Sequence, residues 1–315
     1  MGDTKIEWAE KTWNPIRARR ISNDERGWYC EHVSEGCRNC YAERMNRNTY
    51  FGNGLEYKPK TLSEVDLFLD EKILQQPLHW SKPQNVFPCS MTDLFGRWVK
   101  DEWLEAILNV IYRAKQHTFQ GLTKRADRML DYISRSAFLS NDPLPNLWLG
   151  VSCEDQKTAD ERIPLLLQTP AAVRWISAEP LLGPVDLSRY FARDWTLRGH
   201  DHPTERTVGT DWAVVGGESG PGARSLDLNW IKSIVSQCQQ SRVPVFVKQL
   251  GVRPWWDGIG SGAPAPHVYL EQVVRDGKAG WQFDCMKDRK GGDMSEWPED
   301  LRVREYPKAK AVAAV

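Results

Sequence analysis

A (β/α) barrel of the TIM type, partial or complete, is the α/β fold class this sequence predicts. Three observations predict it. Short apolar runs recur along the chain, most of them lead into a helical pattern, and no phosphate-binding glycine fingerprint opens the first unit. Strands that alternate with helices imply βαβ units and a parallel sheet. Near-continuous runs such as WAVV and VPVFV suit strands covered on both faces.

The first run, Asn85-Val-Phe-Pro-Cys-Ser-Met-Thr-Asp93, precedes a helix over 101–116. There Trp103, Leu104, Ile107, Leu108 and Ile111 share one face, and Asp101 and Glu102 suit the N-terminus. The second run spans Thr118 to Arg125 and leads into a helix through Arg128 to Ser136. The third, Asn146 to Glu154, is followed by a helix over 155–168, and the fourth runs from Val173 to Pro180. The fifth, Asp211 to Glu218, precedes a helix over 226–240, and the sixth runs from Val243 to Gln249. One further strand before or at the cysteine cluster gives six or seven units. Residues 187–210 are polar and irregular and read as an insertion. Residues 252–315, rich in Gly, Pro and Trp, read as a C-terminal extension packed on the barrel with a frayed tail. The expected organisation is therefore a barrel over 1–251 and an extension over 252–315.

At 315 residues the chain can bury a substantial core. Lys plus Arg and Asp plus Glu both number 42, so bulk charge gives no argument for nucleic-acid binding, although a local basic patch is compatible with it. Mean hydropathy is −0.56, and no apolar run approaches the roughly 18 residues of a membrane span. The opening MGDTKIEWAEKTWNP has no apolar segment, which argues against a secretory signal, and Ile6 stands where a myristoylation site wants Ser or Thr. Seven cysteines is an odd count, and the clustering of three of them suits metal ligands or catalytic groups in a reducing cytoplasm better than disulfides. Fifteen tryptophans should pack the core and line a large cleft.

In a parallel barrel the reactive residues lie at the C-terminal strand ends. Those ends carry Ser90 and Asp93; Thr123, Lys124 and Arg125; Ser152 and Glu154; Ser177 and Glu179; Gly216, Gly217 and Glu218; and Lys248 and Gln249. Any one of them could be polar simply because it meets water. Recurrence across six strands points instead to a dense, mixed-charge site. The run Gly216-Gly-Glu-Ser-Gly-Pro-Gly222 reads equally well as backbone approaching a ligand or as a tight turn. It has neither the Lys of a P-loop nor the spacing of a dinucleotide fingerprint.

Three cysteines fall in the stretch CEHVSEGCRNCY, at Cys30, Cys37 and Cys40. A closed structural zinc site needs a fourth ligand, and His32, two residues after Cys30, does not give a usual pairing. Three thiolates make a poor Lewis-acid zinc site. A thioredoxin-type pair at Cys37 and Cys40 leaves Cys30 without a task. A [4Fe–4S] cluster on three thiolates would leave one iron open.

These residues resemble a family. Lys5-Ile-Glu-Trp8, Thr12-Trp-Asn-Pro15 and Cys30-x₆-Cys37-x₂-Cys40-Tyr-Ala-Glu43 look like the N-terminal signature of a phage- and prophage-associated three-cysteine family of unknown function, usually described as radical-SAM-like. The likeness continues through Ser90–Phe95, Leu122–Arg125, Leu147–Ser152, Ala178–Pro184, Val215–Arg224 and Phe246–Gln249, so it covers roughly residues 5 to 251. It implies a radical S-adenosylmethionine (SAM) enzyme on a partial TIM-type barrel, with the cluster on Cys30, Cys37 and Cys40 after the first strand. SAM would bind the open iron, and its reduction would give a 5′-deoxyadenosyl radical. The chain departs from the usual radical-SAM pattern in three ways. The first cysteine interval is six residues rather than three, Asn39 stands where an aromatic usually precedes the third cysteine, and Gly216-Gly217-Glu218 comes much later than the familiar SAM-binding GGE.

The leading expectation is thus a radical-SAM enzyme acting on a polar substrate. A nucleotide or nucleic-acid base is favoured on the family's phage association alone. Asp93, Ser152, Glu179, Gly216, Gly217, Glu218 and Lys248 are the candidate contacts to SAM or substrate. An electron donor is implied, a partner protein encoded nearby is known for the family's members, and no membrane is involved. A second reading is a non-catalytic, metal-stapled barrel binding nucleic acid or a partner protein, with the RARR stretch (17–20) and the tryptophans as contacts. A third is a zinc-dependent hydrolase. It is disfavoured because none of His32, His79, His117, His200, His202 and His267 closes an apolar run.

Overall fold

The computed structural model describes residues 4–136, 139–191, 209–257, 269–275, 277–284 and 286–307. Residues 192–208 of the expected insertion lie outside the described residues, and so do 258–268 and 308–315 of the expected extension. His200, His202 and His267 fall among them. The chain forms two compact units. The first runs through Val151 and takes in Gln168–Ala172; the second holds Ser152–Leu167 and the chain from Val173 onward.

In the first unit, β1 (Lys11–Trp13) comes first. It is followed by β2 (Ile16–Arg20), β3 (Arg26–Gly27), α1 (Tyr41–Arg47), β4 (Val65–Leu69) and α2 (Glu71–Leu74). Strands β3, β2 and β4 make a small antiparallel sheet. The RARR stretch is β2 itself. Ile16 and Ala18 are buried, the Arg17 guanidinium lies 4.4 Å from the Trp28 ring, and Arg19 pairs with Asp66 at 2.7 Å. Two of the three arginines are therefore engaged within the chain.

Next come β5 (Asn85–Pro88), α3 (Asp101–Arg113), β6 (Thr118–Thr123), α4 (Ala126–Arg135) and β7 (Leu147–Ser152). Helix α3 buries Leu104, Ile107, Leu108, Val110 and Ile111. Burial of each such side chain is worth about 1.5–3 kcal/mol. Acids open this helix and Arg113 closes it, the polarity its dipole favours.

The second unit contains α5 (Gln156–Gln168), β8 (Val173–Ala178), β9 (Trp212–Gly216), β10 (Leu226–Asp227), α6 (Leu228–Gln240) and β11 (Val245–Gln249). After it come β12 (Pro254–Trp256), β13 (Tyr269–Arg275) and β14 (Lys278–Asp284). Every residue of β7 and β9 is buried, as strands covered on both faces require.

The main sheet runs in the order β1-β5-β6-β7-β8-β9-β11, and the register of its paired strands is parallel. Each strand is added on the same side as the last. That is the winding of a partial TIM-type barrel; a doubly wound sheet would reverse direction at a switch point. All six apolar runs of the sequence are strands of this sheet, and β1 supplies the seventh. Strand β11 ends the series just before residue 251.

Beyond it, β12, β14 and β13 join β10 in a four-stranded sheet. Residues 303–305 then run antiparallel along β11, with Val247 N–H donating to Val303 O at 2.9 Å and Glu305 N–H to Val245 O at 2.9 Å. Trp297 and Leu301 are fully buried, and Tyr306 stacks on Trp212 at 5.4 Å.

Candidate functional site

The cysteine loop is held by the first unit's buried polar residues. Asn46, on the inner face of α1, accepts from Trp28 N–H (2.8 Å) and donates to Asn53 Oδ1 (2.8 Å) and Leu55 O (3.0 Å), which fixes the chain two residues before Cys30. Glu43 accepts from Tyr57 N–H (3.1 Å) and meets His32 Nε2 at 2.7 Å. Asn14, immediately after β1, accepts from Met91 N–H (2.9 Å) and donates to Ser90 Oγ (3.1 Å). The hydroxyls of Tyr41 and Tyr57 donate to Ser90 O and Met91 O, each at 2.6 Å.

Asp93 is the hub of a second network. Its carboxylate accepts from Thr123 Oγ1 (2.6 Å), Phe95 N–H (3.0 Å), Lys124 N–H (3.1 Å) and Arg125 Nη1 (3.0 Å). Four protein donors fill a carboxylate's acceptor capacity. Arg125 is itself buried. Its other arm donates to Glu31 O at 3.2 Å, and its guanidinium lies over the Trp98 ring at 4.5 Å. Thus Asp93 and Arg125, at the ends of β5 and β6, grip the residue after Cys30. Burial opposes the Arg125 charge, but Asp93 and its other anionic neighbours hold its pKa above the usual value.

Cys30, Cys37 and Cys40 are all free thiols. Cys30 and Cys40 pack against Trp28, Ala42, Tyr57 and Met91. Burial pushes the Cys30 thiol well up, Asp93 adds to the effect and Arg125 opposes it. Burial also raises Cys40, against which the backbone N–H groups of Glu43 and Ala42, in the first turn of α1, favour its thiolate. The charges of the other two cysteines act on Cys30, so the three sulfurs share one neighbourhood.

Among the described residues, however, no group of three or more His, Cys, Asp or Glu side chains is placed to hold a single metal ion. Around one zinc, thiolates 2.3 Å from the metal stand about 3.8 Å apart. On an iron–sulfur cluster each thiolate takes its own iron and the sulfurs stand wider. His32 is turned to Glu43, so it is not placed as a fourth ligand, and three thiols in one neighbourhood are the number a cluster with one open iron would take.

In the second unit the acids beyond β7, β8 and β9 each meet a cation. Glu154, beyond β7, is 1% exposed and accepts from Arg162 at 3.0 Å, and Arg162 also donates to Ser152 O at 2.6 Å. Glu218, beyond β9, accepts from Arg224 Nε (3.0 Å), Nη2 (2.7 Å) and backbone N–H (2.8 Å). Glu179, beyond β8, lies 3.0 Å from Lys248 Nζ on β11 and accepts from Ser177 Oγ at 3.2 Å. Of the three carboxylates Glu179 is the most open, 12% exposed against 6% for Glu218 and 1% for Glu154.

The glycines serve these contacts. A Cβ on Gly216 would stand 2.8 Å from Glu179 Oε1, and one on Gly217 would stand 2.5 Å from Leu250 O. The close approaches seen at both are to the chain's own groups. A cavity of about 500 Å³ is lined by Leu108, Tyr112, Tyr132, Arg135 and Leu139 among others, and none of its lining residues is at a strand end.

From the sequence the three cysteines were candidate metal ligands, Asp93 a candidate contact to SAM or substrate, and Lys124 and Arg125 polar residues at a strand end. The structure gives Arg125 to Asp93 and buries it. Asn46, Glu43, Tyr57, Arg162 and Arg224 were missed as supporting residues. Glu43 lies inside the quoted CYAE motif and Arg224 closes the quoted Val215–Arg224 stretch, and those were the available signals.

A singly wound parallel sheet with a three-thiol loop after its first strand defines an α/β protein of the partial-barrel class. A family model matches residues 3–287, and the chain belongs to that family, described as a protein of unknown function (DUF5131). None of the curated proteins matches it. Among solved structures it is similar to a cysteine-to-serine mutant of spore photoproduct lyase, with 9% identity and a TM-score of 0.37 over 89% of this chain and 70% of that one.

Proposed function

We propose that this chain is a radical S-adenosylmethionine enzyme whose Cys30, Cys37 and Cys40 hold a [4Fe–4S] cluster. The observation that carries the reading is three free, neighbouring thiols on one anchored loop. The family likeness in the cysteine signature supports it. When bound, such a cluster supplies the electron for reductive cleavage of the SAM sulfonium. The chain's own residues do the rest. Trp28, Tyr57 and Met91 keep water from Cys30 and Cys40, the Ala42 and Glu43 amides favour the Cys40 thiolate, and Asp93 with Arg125 holds the Cys30 segment. Asp93 accordingly positions the loop. In the second unit, Glu179 and Lys248 offer a carboxylate and an ammonium to a zwitterionic ligand, with Ser152, Gly216, Gly217 and Glu218 shaping the strand ends around them. An electron donor is required, and a nucleotide or nucleic-acid base is the proposed substrate class.

The test is anaerobic reconstitution followed by iron, sulfide and zinc analysis of the parent and of Cys30→Ala, Cys37→Ala and Cys40→Ala. The expected result is about four irons per chain in the parent, lost in each variant, with 5′-deoxyadenosine formed on adding SAM and dithionite. One zinc per chain and no visible absorption would overturn the reading.

A further inference from the structure

Helix α1 is inside out. Helices usually bury an apolar stripe and expose polar residues. Here Glu43 and Asn46 are buried with Ala42, while Tyr41 and Met45 are each 40% exposed beside Arg44. Tyr41, Arg44, Met45 and Asn48 follow i, i+3, i+4, i+7 spacing, so they form one outward face. The chain then turns tightly. Phe51 N–H and Gly52 N–H both donate to Asn48 O, at 2.9 and 2.8 Å, and the turn presents Tyr50 (86% exposed) and Phe51 (54% exposed) as an edge-to-face pair with centroids 4.9 Å apart.

Charge follows the same surface. Between residues 38 and 60 the cations are Arg38, Arg44, Arg47, Lys58 and Lys60, and the acids are Glu43 and Glu56. Glu43 is buried against His32, and Glu56 is shared by Arg47 and Lys58. Arg38 and Arg44 are exposed and have no acidic partner among the described residues. In a chain with equal numbers of acids and bases, this is a local excess of positive charge.

Exposed rings alternating with unpaired arginines are the chemistry that takes a flexible polyanion with stackable faces. Arginines track the phosphates while rings accept bases, each stack being worth about 1–3 kcal/mol. An acidic protein surface would meet the arginines but would give the protruding Tyr50–Phe51 pair nothing flat to stack on. We infer that the surface from Arg38 to Phe51 binds single-stranded nucleic acid. The binding needs no metal, so it stands apart from the cluster assignment.

The experiment is fluorescence anisotropy with a labelled oligo-dT and an oligo-rU of twenty nucleotides, a duplex of the same length and an acidic polypeptide, polyglutamate. The full chain is titrated across a salt series, and its iron content is measured separately. Both single strands are expected to bind more tightly than the duplex. Tyr50→Ala with Phe51→Ala should weaken binding by about tenfold or more. Arg38→Ala with Arg44→Ala should lower the slope of log K against log salt by about 1.4. All four side chains are exposed, and circular dichroism will verify that the variants fold. The inference is overturned if neither single strand binds, if the ring variant binds as tightly as the parent, or if polyglutamate competes as well as oligo-dT.

Discussion

The first unit uses its buried charges to hold thiols, whereas the second uses them to hold each other. Asp93 and Arg125 form a buried pair whose remaining donors reach the backbone beside Cys30. Glu154 and Arg162 form a pair of similar length and burial, but their further bond goes to the carbonyl of Ser152, the last residue of β7 and two before Glu154. Two ion pairs alike in distance and depth therefore differ in what they position. The lesson is that a buried salt bridge is read by its third partner. Coulombic attraction in each is largely offset by desolvation, so the pair alone adds little to stability.

Breaking both pairs sharpens this contrast most. Arg125→Met and Arg162→Met each leave a buried carboxylate without its cation, and each should lose about 3–5 kcal/mol in urea unfolding. Only Arg125→Met should also lower iron retention after reconstitution. Equal iron in the two variants would erase the distinction. A smaller effect tests the glycines of the second unit. Gly217→Ala places a methyl against the Leu250 carbonyl and should cost about 1–3 kcal/mol, with the iron count unchanged.

The smallest effect depends on pH. His117 is buried, Nε2 donates to Pro77 O at 3.0 Å, and Nδ1 has no partner among the described residues. Burial lowers its pKa from 6.5, so below that value the unfolded chain takes up a proton more readily than the folded one. Stability is therefore full above about pH 6.5 and is lost as pH falls toward the lowered folded value. His117→Gln should flatten the fall of the urea midpoint between pH 7.5 and 5.5; a parallel fall in both proteins would assign it elsewhere.

What the sequence made legible follows from period and length. Six apolar runs gave six strands because a strand covered on both faces needs little but continuous hydrophobicity, as in β7 and β9. The small sheet of β2, β3 and β4 was hidden because Arg17, Arg19 and Arg20 dominate β2, and only Ile16 and Ala18 mark its buried face. Helix α1 was hidden for the opposite reason, since Glu43 and Asn46 are buried while Tyr41 and Met45 are exposed beside Arg44. The cysteines were legible from spacing alone. Their supports were not, because the partner of Asp93 lies 32 residues on and the two meet only through parallel pairing of β5 with β6.

The segment along β11 has a consequence for synthesis. Residues 303–305 satisfy the outer edge of a strand that ends at Gln249. While the chain is being made, that edge stays bare until more than fifty further residues have been added. During this interval β11 is a template on which a neighbouring nascent chain can pair. Closer spacing of ribosomes on one message should then raise the share lost to aggregates.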